Sequence, residues 1–151
     1  MGEKPHSRHL RNGRHSEACR IYHIRLACMG REPVFADFEK GRVVVRAMQQ
    51  VESVARTLTY VVMPDHVHWL MSLNEGAELS TVVQKLKSLA TRKLRDCRGV
   101  KGPIWQSGFY DRAIQREDDL PAIARYIVAN PLRAGLVASI RDYPLWDAVW
   151  L

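Results

Sequence analysis

Residues 60–73 read YVVMPDHVHWLMSL. Apolar residues crowd up to Met63, Pro64-Asp65 supplies turn chemistry, and an apolar stretch resumes at His66. Two β-prone runs joined by so short a turn predict an antiparallel hairpin. On its second strand His66 and His68 are two residues apart, so both imidazoles stand on one face while Val67 turns to the core. Two imidazoles side by side on a rigid strand are half of a metal site. The plain alternative is a solvent-facing polar stripe that happens to carry two histidines, because an HxH spacing alone is a weak motif.

Working outward, CRIYHIRLACM (19–29) alternates and predicts an earlier strand. Between it and the hairpin, Val43, Val44, Ala47, Met48, Val51 and Val54 recur at helical spacing, predicting a helix from Phe38 to about Arg56. Asn74-Glu75-Gly76 closes the hairpin. A second helix is predicted from about Leu79 to Cys97, with Ser80 near its start as a cap. Val82, Val83, Leu86, Leu89, Ala90 and Leu94 form its apolar face, and Gly99 and Gly102-Pro103 break it. A short strand follows around Tyr110–Gln115. A last helix opens after Arg116-Glu117-Asp118-Asp119, tolerates Pro121 in its first turn and stops before Pro131. The tail, LRAGLVASIRDYPLWDAVWL, is apolar enough to dock on the body.

The order is strand, helix, strand, strand, helix, short strand, extra helix. It predicts an α+β, ferredoxin-like (RRM-like) antiparallel sheet with helices on one face, plus an extra C-terminal helix. At 151 residues one domain is expected, over 16–151, after a polar arm rich in Arg and His at 1–15. There is no internal repeat and no run approaching a membrane span. The start lacks the apolar core of a secretory signal, and its Met-Gly has no small polar residue at the myristoylation position. Cys19, Cys28 and Cys97 form no CxxC pair, which argues against a thiolate zinc site or a disulfide framework and for a reducing cytoplasm.

Lys and Arg number 23 against 16 Asp and Glu, a net charge of +7. That balance suits a polyanionic partner. The second helix collects Lys85, Lys87, Arg92, Lys93, Arg95 and Arg98 on its polar side, and Arg112 and Arg133 flank the later motifs. A basic helix face is often merely solvated. Lys85, Lys87, Arg92, Lys93, Arg112 and Arg133 become DNA-binding candidates only beside a site acting on DNA. His6, His9 and His15 read as incidental. Trp105, Trp146 and Trp150 read as packing residues, one of which could stack an unpaired base.

In the last helix, IARYIVANP, Tyr126 and Asn130 are four residues apart and share a face. Asn130 also sits where Asn commonly ends a helix before Pro, and Tyr126 could be an amphipathic packing residue. Taken together, two His and one amide oxygen can hold a divalent cation with positions left open. A phenol one turn from a ligand can reach a phosphate bound there, and that pairing permits a covalent phosphotyrosine. Tyr110, in GFYDRAIQ, is a rival nucleophile, read here as a packing aromatic beside Trp105 and Phe109.

YVVMPDHVHWLMSL, followed by WQSGFYDRAIQREDDLPAIARYIVANPLRAGLV, resembles the single-tyrosine transposases of the HUH class, and more narrowly the REP-associated tyrosine transposases of bacteria. The resemblance runs from about Arg20 to Val137 and rests on pairing an MPxHVH hairpin with an RYIxxNPxRAGLV helix. It implies a ferredoxin-like fold with the His pair on a central strand. It also implies that His66 and His68 bind the metal, Tyr126 is the nucleophile and Asn130 completes the metal site. Related enzymes often carry Gln at that last position, so Asn130 is a shorter reach. The implied activity is single-stranded DNA cleavage and strand transfer at REP-type hairpins, through a 5′-phosphotyrosine, with Mg²⁺ or Mn²⁺. Ligand type alone would also admit Zn²⁺ or Ni²⁺. The implied setting is a cytoplasmic, nucleoid-associated protein without membrane contact. A homodimer is left open, because some relatives share active sites between two chains. The competing reading is a noncatalytic, domesticated DNA- or RNA-binding module on the same fold. Hydrolysis of small phosphoesters is disfavoured by the charge and by having only two clustered histidines.

Overall fold

A computed structural model describes residues 20–150. The arm at 1–15, with His6, His9 and His15, lies outside the described residues. The sheet holds β1 (Ile21–Ala27), β2 (Ala55–Val62), β3 (His66–Leu73), β4 (Tyr110–Ala113) and β5 (Trp146–Ala148). The helices are α1 (Phe38–Gln50), α2 (Leu79–Arg98), α3 (Leu120–Val128) and the single turn α4 (Asn130–Arg133). All pairings are antiparallel, in the order β4-β1-β3-β2-β5. The first four strands give the expected ferredoxin-like order, and β5 adds an edge strand built from the docked tail.

Strand alternation divides the sheet's two faces. Val67, Trp69, Met71 and Leu73 of β3 share one core with Tyr22, Ile24 and Leu26 of β1 and the apolar faces of α1 and α2. Trp69 is fully buried and donates Nε1–H to Thr57 Oγ1 at 2.9 Å, which satisfies its one polar atom. Ile21, Leu58, Val61, Met63, Leu70 and Ile114 form a second core on the opposite face, together with Ile127 of α3. So α1 and α2 cover one face of the sheet and α3 covers part of the other.

Several boundaries differ from the sequence expectation. α1 stops at Gln50 rather than near Arg56, because residues 51–54 turn the chain and β2 begins at Ala55. A register shift between Thr57 and Thr59 absorbs the extra residue. Ser80 lies inside α2, whose N-cap position is Glu78. α3 is capped by Asp119, which accepts from Ala122 N. Pro131 does not end the helical path. After Ala129 the chain makes one more turn, with Pro131 in the first turn of α4. Among the described residues no helix is long and apolar enough to cross a membrane.

Asp37 caps α1 through Oδ1, which accepts from Glu39 N at 2.8 Å and Lys40 N at 3.2 Å. Asp37→Ala leaves both donors to water and should lower stability by about 1 kcal/mol. Urea unfolding checks this; an unchanged midpoint would show the cap to be idle.

Candidate active site

Cross-strand partners in an antiparallel sheet point to the same face, so the register lays out the site as a grid. On the α3 face, Tyr110 of β4, Arg25 of β1 and His68 of β3 form one row. Arg112, His23 and Leu70 form the next, and Ala27 lies opposite His66. His66 and His68 stand together as the spacing predicts, with ring centroids 5.0 Å apart and planes at 78°. Both are half-buried rather than a solvent-facing stripe.

Each imidazole has an inner partner. His66 Nδ1 lies 2.7 Å from Asp65 Oδ1, and the other oxygen of that carboxylate accepts from Arg31 Nε at 3.1 Å. His68 Nδ1 lies 2.9 Å from Nε2 of His23. Burial, then the guanidinium of Arg112 and that of Arg25, pushes His23 down to about 4. Burial and the neighbouring imidazoles push His68 down to about 2. His66 is also lowered by burial, although Asp65 opposes the shift. The rings are therefore neutral at neutral pH, the form in which histidine binds metals.

These shifts carry a stability prediction. The folded pKa values lie below the ordinary 6.5, so the unfolded chain binds more protons once pH falls below about 6.5. Stability should be full above that pH and fall toward pH 4, by up to about 1.4 kcal/mol per unit for each buried histidine. Thermal unfolding between pH 7 and 4.5 measures the slope. His23→Phe should flatten it, and an unchanged slope would contradict the burial of a neutral His23.

α3 is fixed to this face by Ile127, which is fully buried in the core that also holds Leu58, Val61 and Leu70. Tyr126, one position earlier, is 64% exposed, so its ring is no packing residue. The Arg133 guanidinium lies 3.8 Å from the centre of the Tyr126 ring. The same arginine is the least of the charges that lower His68. Asn130 donates from Nδ2 to Ile127 O at 2.8 Å. In a continuous helix that carbonyl would take the N–H of residue 131, which proline lacks. The side chain thus performs the helix-end role the sequence allowed, and its amide oxygen is the atom left for a ligand.

The candidate cations divide between the two faces. Arg112 and Arg133 stand at the site, and Arg112 lies 3.6 Å from Asp118. Lys85, Arg92 and Lys93 are exposed on α2, across the sheet from the histidines. Lys87 differs from them. Its ammonium donates to Gln106 O at 3.1 Å and Gly108 O at 2.6 Å, and burial lowers its pKa. It tethers α2 to the loop before β4.

Sequence reading missed His23, Arg25, Arg31 and Asp65. The Arg25 guanidinium stacks 4.4 Å from the Tyr110 ring centre, so Tyr110 faces the histidine side rather than packing with buried Phe109. The strand alternation of IYHIRLA did point His23 and Arg25 away from the main core. What it could not supply was their pairing with His68 and Tyr110. Among the described residues, no group of three or more His, Cys, Asp or Glu is arranged to hold a metal ion.

The family described as "Transposase IS200 like" matches residues 18–130. A REP-associated tyrosine transposase of Haemophilus influenzae is 32% identical over 98 residues, covering 58% of this chain and 56% of that protein. One from Escherichia coli K12 is 33% identical over 86 residues, 56% of this chain and 49% of that protein. The chain spans about half the length of these curated relatives. A solved structure described as a REP-associated tyrosine transposase bound to a REP hairpin superposes with a TM-score of 0.71 at 24% identity, over 84% of this chain and 75% of that one. A transposase structure from Deinococcus radiodurans R1 gives 0.56 at 18% identity, over 84% and 95%. Both are likenesses of fold.

Proposed function

The chain belongs to the IS200-like transposase family, and from that premise we propose that it cleaves and rejoins single-stranded DNA at REP-type hairpins through a 5′-phosphotyrosine. The observation that carries this reading is one sheet face bearing a partnered histidine pair, with an exposed tyrosine on the helix anchored to the same face.

The donor chemistry fits a divalent cation. In both rings Nδ1 is engaged, by Asp65 and by His23, and Nε2 remains as the ligating atom. A carboxylate on the inner nitrogen of a histidine is the usual support of a metal ligand. His66, His68 and the amide oxygen of Asn130 would hold Mg²⁺ or Mn²⁺. When bound, the cation supplies polarisation of the scissile phosphate.

The tyrosine carries out the covalent chemistry. Tyr126 Oη attacks phosphorus and loses its proton to solvent. The bond from phosphorus to the 3′ oxygen breaks, and that oxygen takes up a proton as a free 3′-hydroxyl. The downstream strand stays on the tyrosine through its 5′-phosphate. Another 3′-hydroxyl reverses the step and rejoins strands. Arg25, Arg112 and Arg133 would meet the phosphates at the site. Lys85, Arg92 and Lys93 would hold DNA passing to the other face around the β4 edge.

The competing reading, a binding module without cleavage, draws on the same Asn130. Its Nδ2 bond to Ile127 O gives that side chain a helix-end role that needs no cation. One assay separates the two. A DNA hairpin with a single-stranded flank should bind more tightly than blunt duplex. Its log affinity should fall against log salt by about 0.7–0.9 per phosphate contacted, and Lys85→Gln, Arg92→Gln or Lys93→Gln should flatten that slope. Cleavage in Mn²⁺ should vanish with EDTA and return on adding metal back. Hairpin binding with no cleavage in either Mg²⁺ or Mn²⁺ would favour the module.

A further inference from the structure

We propose that His23 is a positioning residue of this site, holding His68 in the tautomer with its proton on Nδ1 so that Nε2 faces outward, free to ligate a divalent cation. The inference rests on reading His68 as a metal ligand.

A neutral imidazole carries one proton on one of its two nitrogens. His23 Nε2 and His68 Nδ1 lie 2.9 Å apart, so one donates and the other accepts. Were His23 the donor, His68 would keep its proton on Nε2, the only nitrogen left for a cation. The ligating form therefore needs His68 Nδ1–H to donate and His23 Nε2 to accept. His23 in turn keeps its own proton on Nδ1.

The frame supports so exact a placement. β1 lies between β3 and β4 and pairs with both. His23 is opposite Leu70 on one side and Arg112 on the other, so its backbone is pinned by two ladders. It reaches His68 along the diagonal of the grid, with ring centroids 5.1 Å apart and planes at 38°. His66 receives the equivalent support from Asp65 Oδ1. One ring leans on a carboxylate from its own turn and the other on a neutral acceptor from the adjacent strand. Outer groups of this kind typically change metal affinity by about 10–100-fold when removed.

The test reads tautomers in the metal-free protein, by long-range ¹H–¹⁵N correlation of ¹⁵N-histidine imidazoles. His68 and His66 should both be Nδ1–H in the wild type. In His23→Phe, with folding checked by circular dichroism, His68 should lose that single tautomer while His66 keeps it. Mn²⁺ affinity, measured by electron paramagnetic resonance, should fall about tenfold or more. His23→Gln offers a carbonyl oxygen to the same proton and should restore most of the affinity. An Nε2–H His68 in the wild type, or unchanged Mn²⁺ affinity in a folded His23→Phe protein, would overturn the inference. Neither readout involves DNA. A wild type that binds no Mn²⁺ would overturn the metal reading itself, and with it this inference. Failure of cleavage alone would strike only the proposed reaction.

Discussion

His66→Ala and His68→Ala are each expected to lower DNA cleavage by about a thousandfold, equivalent to about 4 kcal/mol of transition-state stabilisation, the scale of a lost Lewis acid. Hairpin affinity should change little, because the contacts proposed to hold the DNA backbone come from lysines and arginines on both faces of the sheet. The two variants should differ in stability. His66 partners a carboxylate that also has Arg31, so Asp65 keeps a partner when the ring is removed. Removal of His68 strands His23 Nε2 on a half-buried face, at a cost of about 1–3 kcal/mol. Single-turnover cleavage of a hairpin substrate, run beside urea unfolding, separates the effects. Wild-type cleavage by either variant would remove the pair from the site.

Tyr126→Phe should be the cleaner loss. It deletes one oxygen from a side chain that is 64% exposed and keeps the ring on which Arg133 stacks. Fold, hairpin affinity and Mn²⁺ binding should all match the wild type, while cleavage falls to background. Tyr110→Phe is the natural control, because Tyr110 lies on the same face, opposite Arg25. It should cleave normally. If the two results were exchanged, the nucleophile would sit on β4 and the helix tyrosine would serve only to hold Arg133.

The parts of this site that were legible in the sequence are those set by local period. A turn between two β-prone runs gives the β2–β3 hairpin, and spacing by two places both histidines on one face. Spacing by four relates Tyr126 to Asn130. Their supports were not legible, because they come from chain pairing. His23 is 45 residues from His68 and meets it only through the β1–β3 register. Asp65 reads as turn chemistry, and the orientation of its carboxylate toward His66 is a detail of tertiary geometry.

The basic face of α2 shows the same limit from another side. Helical periodicity separates its lysines and arginines from its core residues. It does not say which face of the sheet the helix will cover, and α2 covers the one away from the histidines. Nor did the pattern reveal that Lys87 is taken up by loop carbonyls. Pro131 misled for a local reason. Proline removes one N–H, and Asn130 supplies a side-chain donor to the Ile127 carbonyl, so the path turns once more instead of stopping. The edge strand β5 has only three residues, too few for alternation to register.

The covalent step is the centre of the account, and peptide mapping of the reaction product tests it most directly. Wild-type protein incubated with Mn²⁺ and a hairpin labelled 3′ of its cleavage site should give a labelled band that survives a denaturing gel as protein joined to DNA. Tryptic digestion should place the DNA on the peptide that contains Tyr126. A product released with a free 5′-phosphate and no adduct would make water the nucleophile and contradict the account at its core.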